Sequence, residues 1–361
     1  MTVRVGVVGG GLVAQAEHLP YLSALRERFS LVALAEPSLT VREALGARYG
    51  IEKLHADYRA LLDAGGTDAV VVCSPHGTHA EVVLAALDAG LHVFVEKPLC
   101  ITLADADAII AARDRAEKVV QVGTMKRFDP AVEAMMETLP DSAADLRYVS
   151  VVVNDAEFEP FFEPGEIVRG TDVPRDLIET TRRQEAEQVA RAVGSGDEAV
   201  VRAFSESFLG SLLHDLNVIH GMLAKLGEPL PAAVVGGDWW NDGRAVYGAL
   251  RLQNGARVDA AWIQLLDTFE YRETIQFMFA EEVHVLEFPS PWLKQHPTTY
   301  RRSRKDGRSL DVKIVSAYDE SFSRELRHFH DCIVDGTPCR TPPEGARLDI
   351  DVLTQMFLAA R

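Results

Sequence analysis

The sequence predicts an α/β protein in which a doubly wound parallel sheet is followed by an α+β domain with a large open, mostly antiparallel sheet. Two observations support this fold class. Up to about residue 125, short apolar runs bounded by turns alternate with helical patterns, as in a parallel sheet with helices on both faces. Between about residues 232 and 315, apolar runs follow one another without intervening helices, which favours antiparallel strands.

The first part of the chain is predicted to alternate strand and helix. The capping-box spacing of Thr78 and Glu81 predicts that a helix begins there and runs to about Ala89, before Gly90. The predicted strands are Val3–Val8, Leu31–Ala35, Ala69–Cys73, His92–Val95 and Val119–Val122. The other predicted helices are Ala14–Arg28, about Val41–Tyr49 and Leu103–Glu117.

The second part of the chain is predicted to be rich in strands. Leu146–Val153 is a predicted strand, and five further strands are expected between about residues 232 and 315. Two of these, Arg244–Gln253 and Ala256–Leu265, flank Asn254-Gly255, which predicts a hairpin with a type I′ turn. The helices that close the chain are predicted at Glu320–Asp335 and Gly345–Ala360.

Charge and cysteine content restrict the possible partners. The chain has 54 acidic against 37 basic residues, a formal net charge of −17, which opposes nucleic acid or an anionic membrane surface as a main partner. The 4 cysteines form no CxxC pair, so we expect no metal site and no dithiol motif. A strand begins almost at the first residue, and no apolar run is long enough to cross a bilayer, so we expect a cytoplasmic protein.

A glycine-rich turn follows the first predicted strand. The pattern G-x-G-x-x-A occupies Gly9–Ala14, between a strand and a helix, which is the context that gives this pattern its meaning. Gly9 permits the tight turn, and Gly11 lets the backbone approach a pyrophosphate. Leu12 and Val13 contribute backbone amides at the positive end of the helix. The turn therefore predicts dinucleotide binding.

Glu36 ends the second predicted strand, about twenty residues after the turn, where a carboxylate accepts hydrogen bonds from an adenosine ribose. Because this carboxylate would repel a 2′-phosphate, NAD is favoured over NADP. Arg42 would partly offset this preference if the loop folds back.

The length of 361 residues indicates two domains. We predict a dinucleotide-binding Rossmann domain at residues 1–125 and a substrate-binding and oligomerisation domain at residues 126–361. A charged segment at about residues 157–204 has helical spacing and is predicted to be an excursion from the second domain. For this segment, a solvated helix pair and a lid over the active site are both open.

The run Glu96-Lys97-Pro98 ends an apolar strand at the edge of the sheet where cofactors bind. An ammonium group at this edge, beside a nicotinamide, can polarise a carbonyl or help to move a proton. Lys97 is therefore the first candidate for a catalytic residue.

Together these motifs resemble the Gfo/Idh/MocA family of oxidoreductases. The resemblance covers nearly the whole chain outside the charged segment, and the Glu-Lys-Pro element is its most specific part. The matching stretches are Gly9–Ala14, Glu36, Cys73–His79, Glu96–Pro98, Glu325–Phe329, Gly336–Pro338 and Pro343–Arg347.

The resemblance implies a Rossmann domain and a large open sheet through which members pair, so a homodimer or homotetramer is expected. It implies NAD or NADP as cofactor and a small-molecule polyol or keto-sugar as substrate. Lys97 would lie near the nicotinamide and the reactive hydroxyl, and Glu96 would help to fix its loop. The remaining residues that the resemblance places along the cofactor groove are Ser74, Pro75, His76 and His79.

The resemblance also implies a substrate-site histidine on a helix at the start of the second domain. His214 matches it, and Asn217, three residues later, shares its helical face. The family aspartate four residues before the histidine is replaced by Gly210, so the orienting acid would come from elsewhere, with Asp215 and Glu206 as candidates. Arg127, at the domain junction, is a further candidate for binding sugar hydroxyls.

We therefore expect an NAD(P)-dependent dehydrogenase or reductase acting on a CH–OH group of a sugar, cyclitol or sugar derivative. His214 would exchange the hydroxyl proton, and Lys97 would stabilise the developing alkoxide. Two alternatives remain open: glycoside hydrolysis or elimination with recycled NAD, and a non-catalytic regulator that senses NAD.

Overall fold

The computed structural model describes residues 1–360, which form two compact units. The first, unit 1, comprises Met1–Thr124, Phe162–Ala192 and Phe322–Arg347. The second, unit 2, comprises Met125–Phe161, Val193–Ser321 and residues 348–360. Within the described residues, no helix is both long and apolar enough to cross a membrane.

The elements are numbered in chain order. The strands are β1 (Val3–Val8), β2 (Phe29–Ala35), β3 (Lys53–His55), β4 (Ala69–Val72), β5 (His92–Glu96), β6 (Val120–Gly123), β7 (Leu146–Ala156), β8 (Ala233–Trp240), β9 (Ala245–Arg251), β10 (Arg257–Leu265), β11 (Arg272–Phe279), β12 (Glu282–Phe288), β13 (Thr299–Asp306) and β14 (Ser309–Ser316). The helices are α1 (Leu19–Ala24), α2 (Leu39–Tyr49), α3 (Tyr58–Ala64), α4 (His79–Asp88), α5 (Leu103–Ala116), α6 (Pro130–Thr138), α7 (Arg175–Val193), α8 (Glu198–Val201), α9 (Leu213–Lys225), α10 (Ser321–Val334) and α11 (Pro343–Ala359).

Unit 1 is built on the predicted parallel sheet. Its described strands form a six-stranded sheet in the order β3-β2-β1-β4-β5-β6, and every neighbouring pair is parallel. The strand order reverses between β1 and β4, which opens a crevice at the carboxyl ends of these strands. The doubly wound fold class is therefore confirmed.

The first helix differs from its prediction. Instead of a continuous helix over Ala14–Arg28, a π-helical turn at Ala14–His18 leads into α1, which ends at Ala24. Pro20 is one cause, because it has no amide hydrogen to continue the regular pattern.

The predicted capping box is wrong, although α4 begins where it was expected. The Thr78 hydroxyl makes no capping bond and instead donates to the Pro75 carbonyl at 2.7 Å. Glu81 accepts a hydrogen bond from the Tyr58 hydroxyl at 2.6 Å.

Unit 2 contains the predicted open sheet. Its described strands form an eight-stranded sheet in the order β14-β13-β12-β11-β7-β10-β9-β8, in which only β7 and β10 are parallel neighbours. Seven of these strands lie between Ala233 and Ser316, where the sequence predicted five. One physical cause is that β13 is largely exposed and mostly polar, so it lacks the apolar signal of a buried strand.

The predicted hairpin between β9 and β10 is present, but its turn is not type I′. Gly255 has a positive φ of 88°, whereas Asn254 is not among the residues with positive φ. A type I′ turn needs positive φ at both central residues. Asn241 and Asp242, with φ of 52° and 54°, meet that requirement in the turn between β8 and β9.

Two segments cluster with unit 1 although the predicted domain boundary assigned them to the second domain. Leu326 and Phe329 of α10 are fully buried in the same apolar cluster as Val5 and Val7 of β1. In the charged segment, the Gln188 side chain donates to the Gly77 carbonyl at 2.7 Å. These contacts join residues far apart in sequence, which is why apolar periodicity alone did not indicate them.

Gly237→Ala is expected to destabilise the protein, because a Cβ atom at this position would lie 1.8 Å from the Met356 carbonyl oxygen. Overpacking of this kind costs about 1–3 kcal/mol or more. Gly236→Ala is a matched control, since its nearest contact would be an ordinary 3.7 Å from Ala249. Urea unfolding of both variants measures the difference, and equal free energies of unfolding would contradict the packing argument.

Candidate functional sites

The glycine-rich turn has the geometry that a dinucleotide requires. Gly9 has a φ of 94°, and a Cβ atom there would lie 2.6 Å from the Cys73 carbonyl oxygen, so no larger residue fits. A Cβ atom at Gly11 would meet no protein atom within 4 Å. Leu12 and Val13 follow with helical backbone. The turn therefore leaves open space in front of amides at a helix N-terminus, which fits a pyrophosphate.

Glu36 lies beside this turn and is already hydrogen bonded. One carboxylate oxygen accepts from the Gly10 amide and the other from the Ser38 amide, each at 2.8 Å. Each oxygen keeps a second lone pair for a ribose hydroxyl. Arg42 donates to the Glu36 backbone carbonyl at 2.5 Å, so its guanidinium is bound to backbone in the same loop.

The predicted residues Ser74, Pro75 and His76 lie in the loop after β4, and His79 is the first residue of α4. His79 is 1% exposed, and its two ring nitrogens each lie 2.7 Å from a carbonyl oxygen, one of Ser74 and one of Pro98. Burial lowers the pKa of His79 despite these contacts. His79 therefore connects the loop after β4 to the turn after β5, and this connection positions two loops of the cofactor groove.

Glu96 is the last residue of β5, and Lys97 follows it. Glu96 is buried; one of its oxygens lies 2.7 Å from Nε2 of His18, and the other accepts the Lys97 amide at 3.1 Å. Burial favours a higher pKa for Glu96, but the hydrogen bond and charge of His18, together with Lys97, lower it. Lys97 is half-buried and precedes a cis peptide bond to Pro98. The buried, hydrogen-bonded Glu96–His18 pair therefore fixes the backbone that carries the Lys97 ammonium group.

The second-domain candidates lie on and around α9. His214 is half-buried, and Asn217 is 5% exposed. The Asn217 side-chain amide donates to Asp349 at 2.6 Å, and Nδ1 of His220 lies 2.6 Å from the other oxygen of the same carboxylate. Asp349, which the sequence analysis did not single out, thus holds Asn217 and His220 on one face of α9.

Arg127 packs on the same helix. Its guanidinium lies 3.4 Å from the Asn217 carbonyl, and a Cβ atom at Gly221 would come within 2.4 Å of the guanidinium carbon. Gly221 therefore provides the space that Arg127 occupies against α9.

A buried ionic cluster next to His214 was missed by sequence reasoning. Nζ of Lys126 contacts Glu273 and lies 3.5 Å from Asp215, and the Tyr271 hydroxyl donates to Glu273. All three charged residues are at most 7% exposed. Burial, and then the charge of Glu273, raise the pKa of Asp215 well above its ordinary value, against the opposing effect of Lys126. Little in the sequence indicated this cluster, because Glu273 lies between Arg272 and Thr274 at the polar start of β11.

The Asp215 carboxylate is thus engaged with Lys126 and Glu273, and Glu206, the other candidate for orienting His214, is exposed. Gly9, Glu36, the loop after β4 and Lys97 all follow the carboxyl ends of parallel strands in unit 1, and unit 1 therefore brings them to one edge of the sheet. In unit 2, the Arg127 guanidinium packs against α9 at the backbone of Asn217. Lys97 and His214 belong to different units, and their pairing stays a prediction.

The Rossmann domain of this chain matches the profile of a known family. The profile of the Gfo/Idh/MocA oxidoreductase family, described by its NAD-binding Rossmann fold, matches residues 3–124. Residues 3–124 are therefore similar to the Rossmann domain of this family.

Curated relatives match less than half of the chain. Inositol 2-dehydrogenase 1 of Saccharopolyspora erythraea is 38% identical over 167 residues, 45% of this chain and 49% of the relative. Myo-inositol 2-dehydrogenase of Thermotoga maritima is 32% identical over 137 residues, 38% of this chain and 40% of the relative. The matches thus span about half the length of these relatives, or less.

Solved structures extend the likeness to the whole fold. KijD10, a 3-ketoreductase from Actinomadura kijaniata solved with NADP, superposes with a TM-score of 0.75 at 17% identity and covers 100% of this chain and 98% of its own. UDP-N-acetylglucosamine 3-dehydrogenase from Acidithiobacillus ferrooxidans gives a TM-score of 0.71 at 18% identity, over 99% of this chain and 98% of its own. These neighbours share the fold of this chain, a Rossmann domain with a second, open sheet.

Asp215→Asn is expected to change how stability depends on pH. Because folding raises the pKa of Asp215 above its ordinary value of 3.8, the folded protein holds this proton more tightly, and the wild type loses stability as pH rises above about 4. The asparagine variant lacks this loss. Its free energy of unfolding should therefore rise relative to wild type as pH increases above about 4, by up to about 1.4 kcal/mol per pH unit where the carboxyl titrates.

Urea unfolding at several pH values measures this effect, with Asp141→Asn, an exposed acid in the same unit, as the control. A constant offset between Asp215→Asn and wild type at every pH would show that Asp215 does not hold a proton in the folded state.

Proposed function

We propose that this protein is an NAD-dependent oxidoreductase that transfers a hydride between the nicotinamide and a hydroxyl or keto carbon of a sugar, cyclitol or sugar derivative. The observation that carries the proposal concerns Lys97, whose side chain is half-buried. The buried Glu96–His18 pair fixes the Lys97 backbone at the same sheet edge as the glycine-rich turn. The inositol 2-dehydrogenases and the UDP-N-acetylglucosamine 3-dehydrogenase among the similar proteins support this substrate class.

The residues of unit 1 fit the cofactor. The open space at Gly11 and the amides of Leu12 and Val13 would receive the pyrophosphate, and Glu36 would accept the ribose hydroxyls. The Ser74–His76 loop would line the groove, with His79 holding it in place. When bound, the nicotinamide supplies or accepts the hydride.

Lys97 and His214 divide the proton chemistry in this proposal. The Lys97 ammonium donates a hydrogen bond to the substrate oxygen on which negative charge develops during oxidation. His214 takes the hydroxyl proton in that direction and returns it in reduction. Arg127 and the α9 face that carries Asn217 bind other hydroxyls of the substrate.

A recycled cofactor is the second candidate. The segment at Phe162–Ala192 contacts three parts of unit 1 beside the cofactor groove, through Val168 at Gln15, Asp172 at Ser38 and Gln188 at Gly77. Contacts at three places favour retention of NAD between turnovers. Glycoside cleavage with internal redox steps requires such retention. Accumulation of free NADH during turnover would reject this candidate in favour of net oxidation.

We also propose that the protein self-associates through its open sheet. On β14, Leu310, Val312 and Ile314 alternate along the strand, so they share one face of the sheet, and they are 66%, 44% and 63% exposed. An exposed apolar row of this kind is typical of a protein–protein interface. It supports a homodimer or homotetramer, and light scattering of the purified protein measures its mass.

Lys97→Met is expected to reduce kcat with a polyol or keto-sugar substrate by about 100- to 10,000-fold, because it removes the charge at the reacting oxygen. NAD affinity should stay within a few fold, since Glu96 and the glycine-rich turn remain. Lys118→Met is the matched control, because Lys118 is also half-buried but precedes β6 at the opposite end of the sheet. Equal turnover by wild type and Lys97→Met would remove Lys97 from the mechanism.

His214→Gln is expected to remove a limb of the pH–rate profile. A neutral histidine is needed to accept the proton during oxidation, so wild-type kcat/KM should fall at acid pH, where the histidine is protonated. The glutamine variant should be slower and lack that fall. A profile that keeps the limb in His214→Gln but loses it in Lys97→Met would assign the base to Lys97 instead.

A further inference from the structure

Asp172, in the segment between β7 and α7, binds the loop that follows β2. Its carboxylate accepts a hydrogen bond from the Ser38 hydroxyl at 2.5 Å and from the Thr40 amide at 3.0 Å. Ser38 is also the N-cap of α2, since its hydroxyl oxygen accepts the Val41 amide at 3.1 Å. Asp172 therefore places a negative charge at the positive end of this helix.

The same loop is where NAD and NADP are distinguished. Glu36 ends β2, and the Ser38 amide donates to its carboxylate at 2.8 Å, so Ser38 lies directly beside the proposed ribose site. A 2′-phosphate extends from that ribose and needs hydroxyl, amide and cationic donors. In this loop those donors are the Ser38 hydroxyl, the Thr40 amide and Arg42.

The described structure shows these three donors already engaged within unit 1. Asp172 binds the Ser38 hydroxyl and the Thr40 amide, and Arg42 donates to the backbone carbonyl of Glu36. The segment lies tightly on the loop, because a Cβ atom at Gly170 would come within 2.0 Å of the Ser38 hydroxyl oxygen. A 2′-phosphate would have to displace the Asp172 carboxylate from these donors. It would still lie close to two negative charges, those of Glu36 and Asp172.

We propose that Asp172 is a specificity-determining residue: its carboxylate occupies the donors that a 2′-phosphate would use and, together with Glu36, makes the protein take NAD and reject NADP. The inference rests on the proposed NAD-dependent function. The hydrogen bonds from Ser38 and then Thr40 lower the pKa of Asp172 to about 2, so the charge is present throughout the neutral range.

Binding of NAD and NADP to the full-length protein tests this inference without requiring the substrate. Calorimetric titration gives the ratio of the two dissociation constants for wild type and variants. Asp172→Asn removes the charge but keeps an acceptor for Ser38, and Asp172→Ala frees both donors. Each variant is expected to bind NADP better relative to NAD by about tenfold, whereas NAD affinity itself should change little.

Asp176→Asn is the matched control, because Asp176 is an exposed acid in the first turn of α7 and the substitution makes the same change in net charge. It should leave the NAD-to-NADP ratio unchanged. An unchanged ratio in both Asp172 variants, or a wild type that prefers NADP, overturns the inference while leaving an oxidoreductase in place. A wild type that binds neither nucleotide overturns the proposed function together with the inference.

Discussion

The close approach of Gly9 to Cys73 is the constraint on which the cofactor edge depends. The backbone after β1 passes so near the end of β4 that a single Cβ atom would collide with a carbonyl oxygen. This approach lets β1 and β4 pair in parallel up to Val8 and Val72 and lets both connecting loops open at the same edge. The ribose-side acid, the loop after β4 and the lysine after β5 are then neighbours by sheet topology rather than by sequence.

Buried polar groups hold these loops in place. His79 joins the loop after β4 to the turn after β5, and Glu96 joins that turn to His18. In a dry interior such hydrogen bonds are strong and costly to break, so they fix the position of the Lys97 backbone. In unit 2, Asp349 has a comparable effect on α9, where it holds Asn217 and His220 together. The candidate sites thus rest on side chains that need not contact a substrate.

The sequence predicted what local patterns encode. The parallel sheet, the glycine-rich turn and the open sheet follow from apolar periodicity and turn residues, and the structure confirms them. Features that depend on distant residues were not predictable in this way. Asp349 meets Asn217 across 132 positions, and Asp172 meets Ser38 across 134. The capping box failed because Thr78 had a nearer carbonyl partner, which residue spacing alone does not show.

The division of unit 1 into three separate stretches has a consequence for how the chain folds during synthesis. Leu326 and Phe329 belong to the same apolar cluster as β1, yet a ribosome makes them some three hundred residues later. A nascent chain that ends near residue 125 would expose the apolar surface that α10 covers. Because exposed apolar surface promotes aggregation, the early Rossmann strands need protection, for example by chaperones, until Phe322–Arg347 has been made.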